Sequence, residues 1–140
     1  MKVRQPTDHL TAHTGSFPLK FDSPNAVMRY AVELASRGLG RVEPNPAVGA
    51  VLVDENLNLL ADGYHERFGG PHAEVNALSD LVRRVEEPGF RRELLQRATL
   101  FVTLEPCAMC AGAISHARIG RLVYAASDDK GGAIDHGPKF

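Results

Sequence analysis

Two short runs of this sequence place metal-binding and proton-moving side chains at close spacing: Pro71-His72-Ala73-Glu74 and Pro106-Cys107-Ala108-Met109-Cys110. Cysteines three apart at the start of a helix lie on one face of its first turn, so both sulfurs can reach one ion. The electropositive end of the helix favours thiolate, the form that binds metal. With an imidazole as third donor, His72, Cys107 and Cys110 suit one Zn2+ per chain in tetrahedral geometry. Three protein ligands leave a fourth position open, the mark of a catalytic site that activates water near neutral pH. Glu74 would stand beside that water without ligating, where a carboxylate can take a proton from it and deliver it to a substrate nitrogen.

Neither motif suffices alone. H-x-E is a common chance pairing, and C-x-x-C opening a helix after a strand also suits a thioredoxin-like redox pair or a structural metal. The proline before Cys107 and the absence of tryptophan argue against the redox reading. The two motifs together, each at an expected helix start and joined by one βαβ unit, favour catalytic zinc. The other histidines read blandly. His9, His13 and His136 fall in irregular termini and are expected to be solvated, and His116 falls late in a helix, facing solvent or the helix dipole.

The elements that must position these residues are legible from pattern. Residues 1–22 show no periodicity and read as an irregular arm. Ser23 can cap a helix that Pro24 opens, with Val27, Tyr30, Ala31 and Leu34 on one face and Gly38 and Gly40 at its end. The apolar, β-branched run over 47–53 predicts a buried strand, and Asp54-Glu55-Asn56 turns the chain into a second, antiparallel strand over 59–63. Pro71 sits where a helix should begin, with Ala73, Ala77, Leu78, Leu81, Val82 and Val85 as its apolar stripe and Glu86 to Gly89 as its end. A short helical piece near 91–97 leads to a strand over 99–104, a helix over about 107–118 and a strand over 121–125. Alternating strands and helices imply βαβ units, hence a largely parallel sheet covered on both faces. The tail from Ser127 carries glycines and no periodicity.

Composition narrows the class. At 140 residues with 44% hydrophobic residues, the expectation is one domain over 23–140 behind the arm. No apolar run is long enough to span a membrane, and the first residues lack the apolar core of a signal peptide. Two cysteines in such a chain point to a reducing, cytoplasmic setting. A formal net charge of −1 provides no global basic field for a phosphate backbone. The cluster Arg83, Arg84, Arg91, Arg92 and Arg97 reads as a solvated helix face and loop.

From residue 23 to about 134 the chain resembles the cytidine and deoxycytidylate deaminase superfamily, whose zinc base deaminases carry H-x-E and P-C-x-x-C. The resemblance implies a three-layer α/β/α fold around a central five-stranded mixed sheet, with zinc between two helix starts. It implies His72, Cys107 and Cys110 as ligands, Glu74 as proton shuttle, and Ala73 as the small residue whose backbone lies beside the bound ring. It also implies a homodimer or homotetramer. The run Glu43-Pro44-Asn45-Pro46-Ala47-Val48-Gly49 and the run Gly63-Tyr64-His65 through His72-Ala73-Glu74 resemble the riboflavin-pathway deaminase. That match implies a diaminohydroxyphosphoribosylaminopyrimidine-type substrate, met by Asn45 and His65. The run Thr103-Leu104-Glu105-Pro106-Cys107-Ala108-Met109-Cys110 and the run Ser127-Asp128-Asp129-Lys130-Gly131-Gly132-Ala133 resemble the tRNA adenosine deaminase and its guanine deaminase relatives. A small nucleobase-like substrate is therefore expected first. A tRNA adenosine or a free guanine or cytosine is the alternative.

Overall fold

The computed structural model describes residues 19–136. In chain order the elements are α1 (Pro24–Ser36), β1 (Gly49–Val53), β2 (Leu59–Tyr64), α2 (Ala73–Arg84), α3 (Pro88–Arg97), β3 (Thr99–Leu104), α4 (Ala108–Ala117) and β4 (Arg121–Ala126). The four strands lie in the order β2-β1-β3-β4. β1 is antiparallel to both β2 and β3, and β3 is parallel to β4. Thus β2, β3 and β4 share one direction and β1 alone opposes them. The largely parallel sheet expected from alternation is corrected to a mixed one. The cause is the short β1–β2 connection, since a tight turn can only join antiparallel neighbours.

The fifth strand expected from the resemblance is not found among the described residues. After β4 the chain does not extend but turns back, with Gly132 N–H on the Asp128 carbonyl (2.9 Å) and Ala133 N–H on the Pro106 carbonyl (2.9 Å). At the other edge Lys20 makes an isolated antiparallel bridge to Asn58. The Leu59 N–H donates to the Leu19 carbonyl at 2.8 Å, and Phe21 is buried. Of the N-terminal arm, residues 1–18 lie outside the described residues, and His9 and His13 with them. Among the described helices none is long and apolar enough to cross a membrane.

Alternation along β1 divides the core in two. Ala50 and Leu52 join Ala77, Leu81, Leu95, Leu100 and Ile114 beneath α2, α3 and α4. Val51 and Val53 join Phe21, Val27, Ala31, Leu34 and Phe101 beneath α1. All five β1 residues are buried, as a strand covered on both faces requires. Ser23 caps α1 by accepting from the Ala26 N–H at 3.1 Å. A Cβ on Gly49 would collide with the Ala31 carbonyl, so the helix backbone rests directly on β1.

Two local readings change. Pro88 and Gly89, expected to end a helix, instead open α3, because the Glu87 carboxylate caps it by accepting from the Gly89 and Phe90 N–H groups (2.9 and 2.6 Å). Proline suits the first helical turn as well as it ends a helix, so the sequence pattern alone leaves its role open. Arg84, read as solvated, is buried. Its Nε donates to Asp80 at 2.8 Å, and Asp80 also accepts from the Asp62 N–H at 3.0 Å. Tyr30 Oη donates to Asp62 at 2.6 Å, so one polar network links α1, β2 and α2 and sets the seat of α2 on the sheet. Burial and the Asp62 carboxylate push the Tyr30 phenol well above its usual range, keeping it a donor.

Candidate active site

The sheet brings four connections to one edge. β2 and β3 both end there, leading to the starts of α2 and α4, and β4 ends there too. Because β1 runs the other way, its entry segment arrives at the same edge: Gly49 pairs with Tyr64, and the His65 N–H donates to the Val48 carbonyl at 3.0 Å. Open α/β sheets bind ligands at the carboxyl ends of their strands. Here that edge holds a cleft lined by Asn45, Pro46, Val48, His65, His72, Ala73, Glu74, Leu104, Glu105, Cys107 and Asp128. Its volume is about 550 Å3 counting the open mouth.

His72 and Cys107 occupy equivalent positions, each the N-cap of its helix with extended backbone and no side-chain cap bond. Their side chains are therefore free of capping and turn toward each other. Cys110, at the third position of α4, faces back across the first turn. His72 Nδ1 lies 3.6 Å from Cys107 Sγ and 3.3 Å from Cys110 Sγ. The three donor atoms all lie within 4.8 Å of one another. Tetrahedral zinc with ordinary Zn–N and Zn–S bonds places N and S about 3.6 Å apart, so the donor set fits zinc in both chemistry and spacing. Cys110 is buried and Cys107 half-buried. Burial first, then the nearby Glu74 and Cys107, push the Cys110 thiol far above its ordinary range. A divalent cation at this point compensates the negative charge that two thiolates and a carboxylate would bring together.

Glu74 is the second residue of α2 and only 4% exposed. Burial raises its pKa, against the opposing pull of its own backbone N–H, His72, Cys110 and His65. It lines the cleft beside His72 and Cys107 without belonging to the three-donor group. Asn45 and His65 meet on the cleft wall. His65 Nδ1 stands 2.9 Å from the Pro71 carbonyl, which only accepts, so Nδ1 carries the hydrogen and Nε2 accepts from Asn45 Nδ2 at 3.3 Å. The His65 ring also meets the His72 ring edge-on, centroids 5.5 Å apart, which steadies the imidazole of the donor set. Ala73 is fully buried at the start of α2 and lines the same cleft.

All seven residues singled out in the sequence thus meet at one site: six of them line the cleft, and Cys110 lies just behind Cys107. His116 is exposed in the last turn of α4, as expected. His136 is not: it is bonded to Glu105, Nδ1 to Oε1 at 2.7 Å. The sequence reading missed Glu105 and Asp128. The available signal was an acid two residues before Cys107 together with a glycine-rich tail that needs an anchor.

Residues 22–126 match the family described as the cytidine and deoxycytidylate deaminase zinc-binding region. The chain is 46% identical over 114 residues to the tRNA-specific adenosine deaminase of Haemophilus influenzae, covering 77% of this chain and 61% of that protein. It is similar to a structure solved in studies of A-to-I editing by tRNA:A34 deaminases, with TM-score 0.69, 37% identity, and coverage of 83% of this chain and 86% of that one. It is similar also to the diaminohydroxyphosphoribosylaminopyrimidine deaminase/5-amino-6-(5-phosphoribosylamino)uracil reductase of Thermotoga maritima, with TM-score 0.64 and 42% identity, covering 73% of this chain and 29% of that one. The match across most of the chain and the His-Cys-Cys donor set at two helix starts agree on one zinc ion: the chain belongs to the zinc-binding cytidine and deoxycytidylate deaminase family.

Proposed function

We propose that this chain is a zinc-dependent hydrolytic deaminase that replaces an exocyclic amino group of a nucleobase-like ring with oxygen and releases ammonia. The observation that carries this reading is the placement of Glu74. Its carboxylate is buried in the cleft wall beside a three-donor set and is not itself one of the donors. His72, Cys107 and Cys110 would hold the zinc, which when bound supplies Lewis-acid activation of water near neutral pH. Glu74 takes a proton from the attacking water and delivers it to the ring nitrogen. It then carries the second proton to the amino group, so that the C–N bond breaks with ammonia as the leaving group and a carbonyl remains on the ring. Asn45 and His65 hydrogen-bond the ring edge, and the Ala73 backbone lies along it.

Within that class, the pairing of half-buried Asn45 with buried His65 on the cleft wall supports a small polar heterocycle. We take a diaminohydroxyphosphoribosylaminopyrimidine-type compound as first candidate. A tRNA adenosine is the second reading, favoured by the three-residue cysteine spacing within one turn of α4 and by the likeness to the tRNA:A34 deaminase structure over 86% of its length. The test is ammonia release by the zinc-loaded protein offered the pyrimidine phosphate, guanine, cytosine, cytidine and a tRNA anticodon stem-loop. Turnover of the pyrimidine phosphate supports the first candidate. Turnover of the stem-loop alone, with steep loss on adding salt, transfers the assignment to the second. No ammonia from any of them removes the deaminase reading.

A further inference from the structure

Glu105 holds a carboxylate that the chemistry above does not use. Its side chain is 0% exposed, two residues before Cys107. Five donors converge on it. Oε1 accepts from the Asp128 N–H at 3.1 Å and from His136 Nδ1 at 2.7 Å. Oε2 accepts from the N–H groups of Ile134, Asp135 and His136 at 3.0, 2.9 and 3.1 Å. All but one of these donors are main-chain groups of an irregular segment, so the carboxylate substitutes for the ladder that a strand would have offered. Such charge-assisted bonds to a buried anion are the strong ones. The segment closes around it tightly: a Cβ on Gly132 would fall on the Glu105 carboxyl group.

The segment bears on the cleft through its first residue. Asp128 lines the same cleft as Asn45 and His65. Its main chain hangs from Glu105, and its carboxylate is turned by the Lys130 and Gly131 N–H groups at 3.1 and 3.0 Å. We propose that Glu105 is a positioning residue of the site: it folds residues 128–136 into a substrate-facing wall and fixes that wall to the turn that carries Cys107. The proposal rests on the cleft being the deaminase pocket. The role is exerted through the wall, not through zinc or the reacting atoms.

The experiment compares the zinc-loaded full chain with its E105Q variant by amide hydrogen exchange, zinc content and steady-state kinetics. A glutamine keeps the shape but turns an NH2 group toward main-chain donors. In E105Q the amides of Asp128, Ile134, Asp135 and His136 are expected to exchange about tenfold faster or more, while those of β3 keep their rates. Zinc stays at one per chain, and KM for the compound turned over rises about tenfold with kcat little changed. Unchanged exchange over 128–136 overturns the proposal, and so does faster exchange with wild-type KM. If E105Q does not fold, G132A decides. It leaves the carboxylate intact and displaces the segment, so it must show the same local exchange and KM signature, and wild-type behaviour overturns the proposal. A wild-type protein that releases no ammonia from any compound sinks the deaminase reading, while the exchange comparison still judges the wall.

Discussion

Glu74 and Cys107 separate two kinds of residue at one site, and their variants should fail differently. In the proposed mechanism Glu74 moves protons without ligating, so Glu74→Ala is expected to keep one zinc per chain and lose about 10²–10⁴-fold in turnover. Zinc analysis beside an ammonia assay checks this, and loss of metal in that variant would show the role to be wrong. Cys107→Ser removes a donor, and metal binding is shared with folding. Zinc content should fall well below one per chain and the thermal midpoint should drop with it. Full zinc and full activity in the serine variant would refute the ligand assignment. Both assignments were legible as residue types at a spacing. Legibility stopped at Glu105, whose meaning depends on donors more than twenty residues downstream in a segment with no pattern of its own.

At the scale of the elements, α1 is the clearest case of local signals agreeing with the fold. Ser23, Pro24 and the stripe Val27, Ala31 and Leu34 lie where capping and periodicity put them. Ser23→Ala removes the one side-chain cap of this helix and should cost about 1 kcal/mol. That corresponds to a fall in thermal midpoint of about 4 °C, with zinc content and KM unchanged because α1 packs on the sheet face away from α2 and α4. A change in KM would mean that α1 bears on the cleft after all. The misreading at Pro88 has the opposite lesson. Proline and glycine mark a boundary strongly, but only the Glu87 cap decides on which side of it the helix lies.

At the scale of the whole molecule, the closing segment carries a pH dependence. His136 presents Nδ1 to Glu105 at 2.7 Å and Nε2 to Asp129 at 3.2 Å, with Asp135 adjoining, so both ring nitrogens face acids as donors. The hydrogen bond to Glu105 raises its pKa. Burial alone would raise the Glu105 pKa, but the His136 bond and the main-chain N–H groups outweigh it and hold the carboxyl at about 2. A raised imidazole stabilises the fold fully below its unfolded pKa of about 6.5, and that contribution is lost as pH rises through the higher folded value. The stability difference between wild type and His136→Asn, measured by denaturation, should therefore be largest near pH 5.5 and shrink toward pH 9. A difference that stays flat across that range would show that the pair contributes no linked proton.

By itself the sequence determined the donor set, the carboxylate beside it and most element positions, because helix caps, apolar periods and metal-ligand spacing are local properties. Only the tertiary structure decided that β1 opposes its three neighbours. That reversal is what delivers Asn45 to the same edge as His65, His72 and Cys107. It likewise decided that residues 127–136 wrap a buried carboxylate in place of forming a further strand. Strand order and the partners of unpatterned main chain are set by which surfaces meet, and that information lies between distant residues and not in any one window of the chain.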